Sequence, residues 1–267
     1  MNVVDALSLK GKTAVITGAA GLYGRCAATA LLEAGAEVFT GSTNLENLER
    51  ASKEMAEETG GTITALKLDL ASEDSILEFH KKVLDKAGKV DILVNNSVAR
   101  PMKGFNDDAK HFDESMHINA TGVFIISRAF GNSMIPQKSG AIINIASMQG
   151  TVGPDPFLYE GIPGMEVDGW GAGAGDYFLH KGGMITFTRF LASYYGRYNI
   201  RCNSISPGGI RSYRTPEEFV KRYNKHTMLG RMAGPDDIKG AIVFFASDAS
   251  LYITAADLPL DGGYIAK

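Results

Sequence analysis

Residues 13–24 read TAVITGAAGLYG, and this stretch decides the fold. Its first five residues form an almost continuous apolar run, which predicts a β-strand buried on both faces. A glycine-rich turn follows, then a helical stretch through Ala34 that Gly35 is placed to end. Glycines in such a turn let a pyrophosphate approach the backbone, while N–H groups of the helix bind its oxygens. The stretch therefore predicts a dinucleotide-binding unit.

Similar units follow along the chain. Apolar, β-branched runs indicate strands at 37–40, 63–68, 91–95, 141–145 and 199–205, and longer stretches indicate helices at 44–59, 72–87, 112–134 and 176–195. Such alternation is typical of a parallel sheet covered on both faces. We predict an α/β fold, a Rossmann-type doubly wound parallel sheet of about seven strands with helices on both faces. No linker divides the chain, so residues 1–267 are expected to form one domain.

The charge of the chain is nearly balanced: 27 basic and 30 acidic residues give −3, and 45% of the residues are apolar. No basic cluster is available for nucleic acid or an anionic membrane, so neither is expected as a partner. Cys26 and Cys202 are too few for a disulfide framework. Because signal-peptide and membrane-span patterns are absent, we expect a cytoplasmic protein. The histidines show no ligand spacing, which predicts no metal.

The segment 148–176 interrupts the regular pattern. It contains eight glycines and three prolines, together with Phe157, Tyr159, Met165 and Trp170. Loops this long are uncommon and are often lids or binding loops. A disordered insert is the alternative, but the aromatic residues favour a lid that closes over a substrate.

Tyr177 and Lys181 lie four residues apart on a predicted helix and therefore share one face. An ammonium beside a phenol favours the ionised form of the phenol. With ten tyrosines in the chain this spacing also arises by chance, so the surrounding sequence must decide its meaning.

Further motifs occur before and after this pair in a fixed order. They are Asn95-Asn96-Ser97, Asn119, Ile145-Ala146-Ser147, Asn199-Ile200-Arg201-Cys202-Asn203, Pro207-Gly208, Gly230-Arg231, Pro235-Asp236-Asp237-Ile238, Ala246-Ser247-Asp248 and Asp261-Gly262-Gly263. Over about residues 9–264 the chain resembles the short-chain dehydrogenase/reductase family, single-domain type, with an insert between the catalytic serine and tyrosine. It departs from the family at Leu22, where a glycine is usual, and at Val98, which replaces the last glycine of Asn-Asn-Ala-Gly.

The resemblance implies a catalytic set of four residues. Tyr177 would be the general acid or base at the substrate oxygen, and Lys181 would favour its phenolate and hold the nicotinamide ribose. Ser147 would hydrogen-bond the same oxygen, and Asn119 would support a water that connects Lys181 to solvent. As structural alternatives, Ser147 could merely end a strand and Asn119 could merely satisfy backbone in a helix bend.

The cofactor expected from the turn and the resemblance is NADP or NAD. The residues expected to bind it are Thr17, Gly18, Gly21, Leu22, Tyr23, Gly24, Ser42, Thr43, Asn44, Asp69, Leu70, Asn95, Tyr177, Lys181, Pro207, Gly208 and Ile210. The second strand ends in Ser42, Thr43 and Asn44 without an acid that would repel a 2′-phosphate, which favours NADP. Arg25 could assist or could lie in solvent, and Asp69 could instead be a helix N-cap.

Arg100, Tyr159 and Trp170 are candidate substrate residues. The arginine could pair with a substrate carboxylate or phosphate, although a surface ion pair is the commoner role. The aromatic residues suit stacking on a polyhydroxylated molecule. The stretch 95–102 and the insert resemble oxidoreductases acting on sugars or sugar derivatives, including those of bacterial nonulosonate pathways.

The expected function is therefore NAD(P)-dependent interconversion of a secondary alcohol and a ketone, on a sugar, polyol or keto-acid derivative. The alternatives are a 3-oxoacyl thioester reductase, a sugar epimerase or dehydratase, and an inactive nucleotide-binding scaffold. The spacing of Gly18, Gly21 and Gly24 resembles the epimerase branch, but the chain is short for it. The resemblance also implies a homo-oligomer, a tetramer or a dimer.

Overall fold

The computed structural model describes residues 2–165 and 175–266, and its centre is a parallel sheet. Within these residues, seven strands lie in the order β3-β2-β1-β4-β5-β6-β7. They are β1 (Thr13–Thr17), β2 (Glu37–Ser42), β3 (Ile63–Lys67), β4 (Ile92–Asn95), β5 (Gly140–Ile145), β6 (Ile200–Pro207) and β7 (Asp257–Leu260). The α/β fold expected from the sequence, doubly wound and all-parallel, is confirmed.

Helices cover both faces of the sheet. They are α1 (Val3–Ala6), α2 (Leu22–Glu33), α3 (Leu45–Thr59), α4 (Glu73–Ala87), α5 (Ala109–Met116), α6 (Val123–Met134), α7 (Gly175–Tyr195), α8 (Glu217–His226) and α9 (Lys239–Ala246). Short 3₁₀ turns occupy Met148–Gly150, Pro156–Leu158, Gly196–Tyr198, Asp248–Ser250 and Tyr264–Ala266. No helix in the described part of the chain is long and apolar enough to cross a membrane.

Two apolar cores explain why the sheet lies in the middle. Successive residues of β1 contribute to different cores: Ile16 packs in the core that contains Leu31, whereas Val15 packs in the core that contains Phe130. Side chains alternate across a strand, so a strand buried on both faces needs apolar residues at every position. The continuous apolar run of residues 13–17 meets this requirement.

The strand order places a crevice at the carboxyl ends of β1 and β4. These strands are neighbours, while the chain leaves β1 towards β2 on the opposite side. In open α/β sheets, ligands bind in the crevice outside the strand ends where the order reverses. The fold therefore positions the glycine turn after β1 and the segment after β4 on one site.

The helix expected at 112–134 is interrupted. A π-helix, His117–Gly122, joins α5 to α6. Gly122 lies against the backbone after β3, where an added Cβ would be 2.4 Å from the carbonyl oxygen of Leu70. The wider π-turn shifts Asn119 relative to a regular helix, and such turns are frequent at functional sites.

The first part of the 148–176 segment folds against α8. Leu158 and Ile162 are buried in an apolar cluster with Phe219 and Tyr223 of that helix. Arg222 of α8 donates from Nη1 to the carbonyl oxygen of Phe157 at 2.9 Å and to that of Glu160 at 2.7 Å. Residues 156–165 are therefore held against α8, next to the crevice.

Candidate active site

A cleft of about 800 Å³ runs along the carboxyl ends of the strands. Its walls are the turns after β1 and β2, the segments after β3 and β4, the 3₁₀ turn after β5, the N-terminal part of α7 and the segment after β6. Most of the expected site residues line it. Thr17, Asn44, Asn95 and Asn119 do not, and Trp170 lies outside the described residues.

The glycine turn lines the middle of the cleft with Gly18, Gly21 and Gly24. Gly18 has φ +71° and faces Ser97, whose Oγ would lie 2.6 Å from an added Cβ. At Gly24 an added Cβ would lie 2.2 Å from the carbonyl oxygen of Gly18, so no side chain fits there. The turn thus packs backbone on backbone and keeps the α2 N-terminus open, a cradle that fits a pyrophosphate.

Leu22 and Tyr23 differ in role. Leu22 is 60% exposed and lines the cleft. The hydroxyl of Tyr23 donates to the carbonyl oxygen of Gly208 at 2.8 Å, which joins the glycine turn to the segment after β6. Burial raises the pKa of Tyr23, so the phenol remains protonated and keeps donating.

Ser42, Thr43, Asp69 and Leu70 line the cleft on the β2 and β3 side. Asn44 instead caps α3 by accepting from the backbone N–H of Asn47 at 3.0 Å.

Sequence reasoning missed two residues on the β2 side. Asn47 lines the cleft, and the ammonium of Lys67 donates to the carbonyl oxygen of Thr43. Arg25 is paired with Glu54 at 2.5 Å and Glu58 at 3.4 Å, so these carboxyl groups hold its charge.

The segment after β4 reaches the cleft one residue later than expected. Asn95 is 2% exposed, and its amide donates to Ser127 Oγ and Asn144 Oδ1. Its neighbours Asn96 and Ser97 line the cleft instead. Thr17 lies behind them, where its hydroxyl accepts from both of their backbone N–H groups at 3.0 and 2.9 Å.

Ser147, Tyr177 and Lys181 line the cleft at the end of β5. Ser147 is 6% exposed, and its hydroxyl accepts from the N–H of Gln149 at 3.2 Å. The 3₁₀ turn after Ser147 approaches α7 closely, because an added Cβ at Gly150 would lie 2.8 Å from the Lys181 carbonyl carbon. This contact fixes the serine turn against the helix that carries Tyr177.

Lys181 is 3% exposed and donates from Nζ to the carbonyl oxygen of Ile145 at 2.5 Å. Its Nζ lies 5.8 Å from the centroid of the Tyr177 ring. Burial, followed by the charge of Arg100, lowers the pKa of Lys181 to about 7. Burial therefore opposes the positive charge that the sequence predicts for Lys181.

Asn119 lies behind the cleft wall, in the π-helix. It holds Ala99 by both backbone groups: Oδ1 accepts from the N–H at 2.9 Å, and Nδ2 donates to the carbonyl oxygen at 2.8 Å. Nδ2 also donates to Ser115 Oγ at 3.1 Å, and this hydroxyl donates to Asp176 Oδ2 at 2.5 Å. Asp176 directly precedes Tyr177, so the network connects the segment after β4 to α7.

Arg100 and Tyr159 line the same cleft as Tyr177. The Arg100 guanidinium carbon lies 4.2 Å from the centroid of the Tyr177 ring, a cation–π contact. The Tyr159 ring packs 5.2 Å from that of Phe219 in α8. Burial raises the pKa of Tyr159. Gln149, Phe219 and Tyr223 also line this end, and no motif indicated them beforehand.

His180 adjoins the cleft wall and packs edge-on against Tyr177 at 5.2 Å between ring centroids. It is 5% exposed, and within the described ranges neither ring nitrogen has a hydrogen-bond partner. Burial lowers the pKa of His180 to about 3, so the imidazole is neutral. Residues 2–165 and 175–266 contain no cluster of side chains that could hold a metal ion.

The chain was compared with known families and proteins. Residues 12–158 match the family model described as short chain dehydrogenase, and residues 165–265 match the one described as enoyl-(acyl carrier protein) reductase. The 3-oxoacyl-(acyl-carrier-protein) reductase FabG of Thermotoga maritima is 31% identical over 263 residues, which cover 97% of this chain and 100% of the relative.

Two further similarities concern proteins named for polyols and sugar acids. D-threitol dehydrogenase of Mycolicibacterium smegmatis is 31% identical over 266 residues, which cover 97% of this chain and 95% of the relative. The crystal structure of a gluconate 5-dehydrogenase from Burkholderia cenocepacia, in complex with NADP and tartrate, has a TM-score of 0.87 and 26% identity, with complete coverage of both chains (100%).

Proposed function

The chain belongs to the short-chain dehydrogenase/reductase family and is an NAD(P)-dependent oxidoreductase, and from this premise we propose that it interconverts a secondary alcohol and a ketone on a sugar, polyol or keto-acid derivative. One observation carries the proposal. Tyr177, Ser147 and Lys181 line the same cleft of about 800 Å³ as the glycine turn.

Tyr177 is the general acid and base of this proposal. In reduction its hydroxyl gives a proton to the carbonyl oxygen of the substrate, and in oxidation the phenolate takes the proton of the alcohol. Ser147, at the neighbouring strand end, hydrogen-bonds the same oxygen and fixes its position. Position and polarisation are the protein's contribution to such a reaction.

Lys181 and Asn119 support the tyrosine in different ways. The Lys181 amine is held by the Ile145 carbonyl and faces the Tyr177 ring from one helical turn away. Asn119 is assigned as a positioning residue, because its amide is engaged by Ala99 and Ser115. Asn119 holds the cleft wall in place. The proposal also includes a water molecule, supported by Asn119, that connects Lys181 to solvent.

The fit of the cofactor is supported by the backbone packing of Gly18 and Gly24, which a side chain would destroy. Gly18, Gly21, Leu22 and Gly24 would hold the pyrophosphate, and Pro207, Gly208 and Ile210 would adjoin the nicotinamide. Asp69 and Leu70 would adjoin the adenine. When bound, the nicotinamide supplies or accepts the hydride.

We favour NADP over NAD. Ser42, Thr43 and Asn47 offer hydroxyl and amide groups where β2 ends, and the acid among the described lining residues, Asp69, follows the neighbouring strand β3. The Lys67 ammonium, bound to the Thr43 carbonyl, adds a positive charge beside them. These groups suit a ribose 2′-phosphate, whereas a carboxylate would select the 2′-hydroxyl.

The segment 148–176 is proposed to be part of the same catalytic domain and to act as a substrate lid. Residues 156–165 of the segment pack on α8 and bring Tyr159 into the cleft. A homo-oligomer is proposed as well, on the resemblance, with the aromatic side chains of α7 as candidates for the contact. Phe190 and Tyr194 of that helix are 57% and 46% exposed.

The second candidate is a 3-oxoacyl thioester reductase, which the similarity to FabG favours. Such an enzyme would need a basic surface for an acidic carrier, whereas this chain carries −3 overall. The two functions are distinguished by turnover, since only the second would reduce 3-oxoacyl thioesters in preference to keto-sugars and keto-acids.

The test combines binding and turnover. NADPH and NADH are titrated by fluorescence, and a panel of polyols, sugar acids, keto-sugars and 3-oxoacyl thioesters is assayed by nicotinamide absorbance. Tyr177→Phe should lower turnover by about 10²–10⁴ and leave dinucleotide affinity unchanged. Tyr252→Phe is the control, because Tyr252 is fully exposed outside the cleft. Full turnover by Tyr177→Phe, or failure of both dinucleotides to bind, would contradict the proposal.

A further inference from the structure

Arg100 is a cation in the cleft without a matching anion. Within residues 2–165 and 175–266 its guanidinium donates no hydrogen bond and forms no ion pair with a carboxyl group. The polar contact that the guanidinium makes with these residues is the cation–π contact with the Tyr177 ring. A guanidinium carries five N–H donors and remains charged at every relevant pH. It is also exposed, so its donors are open to a ligand in the cleft.

The charges that line the cleft are unequally distributed. Arg100 lies at the Tyr177 end, beside the buried amine of Lys181, whereas the carboxyl group among the described lining residues, Asp69, follows β3. Strand β3 is separated from β4, which leads to Arg100, by β2 and β1. At about 4.8 Å per strand spacing this is roughly 14 Å, beyond the Debye length at physiological ionic strength. Asp69 therefore does not neutralise the substrate end.

The field of Arg100 reaches its neighbours. Next to burial, its charge contributes to lowering the pKa values of Lys181 and His180. A bound anion would remove this repulsion, and a planar carboxylate matches the fork of a guanidinium. The geometry thus suits a ligand that carries an anionic group close to the phenol oxygen.

We propose that Arg100 binds a carboxylate of the substrate, placed within one or two carbon atoms of the carbon that is oxidised or reduced. The short distance follows from the stacking of the guanidinium on the Tyr177 ring, since the phenol hydroxyl lies at the edge of that ring. This inference rests on the proposed function and narrows it to hydroxy acids and keto acids, including sugar acids. Arg100 is then the residue that determines specificity.

Tartrate and threitol form a matched pair of probes, because both have four carbon atoms and two secondary hydroxyl groups. They differ only at the two ends, where tartrate has carboxylates and threitol has CH₂OH groups. Both are titrated into the full chain saturated with NADPH, at constant ionic strength adjusted with chloride, and the fluorescence of bound NADPH is followed. Tartrate should bind at least about tenfold more tightly than threitol, a difference of about 1.4 kcal/mol. Inorganic phosphate is titrated in the same way, to test whether the site prefers a phosphate to a carboxylate.

Three variants locate the site. Arg100→Met, which keeps the apolar stem, should lower tartrate affinity at least about tenfold and leave threitol and NADPH affinities unchanged. Arg100→Lys should retain part of the preference, since it keeps the charge without the fork. Arg189→Met is the matched control, because Arg189 is an exposed arginine of α7 that does not line the cleft, and it should behave as the wild type.

The failures of the two proposals differ. If NADPH binds and Tyr177-dependent turnover is observed, but tartrate binds no better than threitol up to about 10 mM, the carboxylate site is wrong and the proposed function stands. The same holds if Arg100→Met leaves tartrate affinity unchanged, or if phosphate binds more tightly than tartrate. If no nicotinamide cofactor binds, both proposals fail.

Discussion

Ser115 Oγ donates a hydrogen bond of 2.5 Å to Asp176 Oδ2, and both residues are buried, at 0% and 2% exposure. The same hydroxyl accepts from Asn119, whose amide holds Ala99 next to Arg100. Asp176 directly precedes Tyr177 in α7. A single buried network therefore connects the π-helix, the segment after β4 and the helix with the proposed catalytic tyrosine.

We predict that Ser115→Ala destabilises the fold by about 1–3 kcal/mol, because the Asp176 carboxyl group loses its partner while remaining buried. Asp176→Asn alone should cost less, since an amide can still accept from Ser115. The free energies of unfolding of both single variants and the double variant are measured in urea. Their coupling should exceed about 0.5 kcal/mol, whereas strictly additive effects would show that the contact contributes nothing.

The pH dependence of stability should report the buried amine of Lys181. The unfolded chain holds this proton up to about pH 10.4, whereas the folded protein releases it near pH 7. Between these values the unfolded state binds more protons, so stability rises with pH by at most about 1.4 kcal/mol per unit. Relative to Lys181→Met, the wild type should gain stability from about pH 7 to 10.

The control for this measurement is Lys53→Met. Lys53 is 79% exposed, so removing its amine should leave the pH dependence of the wild type unchanged. A constant difference between wild type and Lys181→Met over the whole range would mean that Lys181 keeps its ordinary proton affinity in the folded protein.

Gly24→Ala should abolish the close packing of the glycine turn. The new Cβ would lie 2.2 Å from the Gly18 carbonyl oxygen and 2.6 Å from Asn96 Nδ2, so the turn must open. We expect NADPH affinity to fall at least about tenfold. Gly240→Ala in α9 meets no atom within 4 Å and is the matched control. Equal affinity of the two variants would place the cofactor elsewhere.

The preference for NADP predicts the effect of a carboxylate at the end of β2. Ser42→Asp should lower NADPH affinity at least about tenfold, because like charges would meet at the 2′-phosphate, and should leave NADH affinity within about threefold. Ser42→Thr keeps the hydroxyl and is the control. Fluorescence titration measures both cofactors, and an equal loss for NADPH and NADH would argue against a phosphate at this position.

The central strands could be predicted because burial on both faces demands apolar residues at every position, as in β1. The edge strand β7, Asp257–Leu260, contains a proline and two exposed residues, and so carries no such pattern. The π-helix at His117–Gly122 could not be predicted either, since the apolar spacing within α5 and within α6 is that of ordinary helices.

The candidate site could be predicted where only one residue type fits, as at Gly24. It was harder to predict where the direction of a side chain decides whether the residue reaches the cleft. Asn95 and Asn96 are adjacent, and alternation along the strand sends the first into the core and the second to the cleft. Residues of α8 such as Phe219 and Tyr223 reach the cleft through tertiary packing with the 148–165 segment. A local sequence pattern cannot predict such contacts.

Arg222 holds that segment by two main-chain carbonyl groups, those of Phe157 and Glu160. Every residue, proline included, presents a backbone carbonyl group, so these two hydrogen bonds do not depend on the side chains of Phe157 and Glu160. Substitution of an exposed side chain such as Phe157 therefore leaves both hydrogen bonds to Arg222 in place, so the proposed lid can change its side chains and keep its attachment to α8.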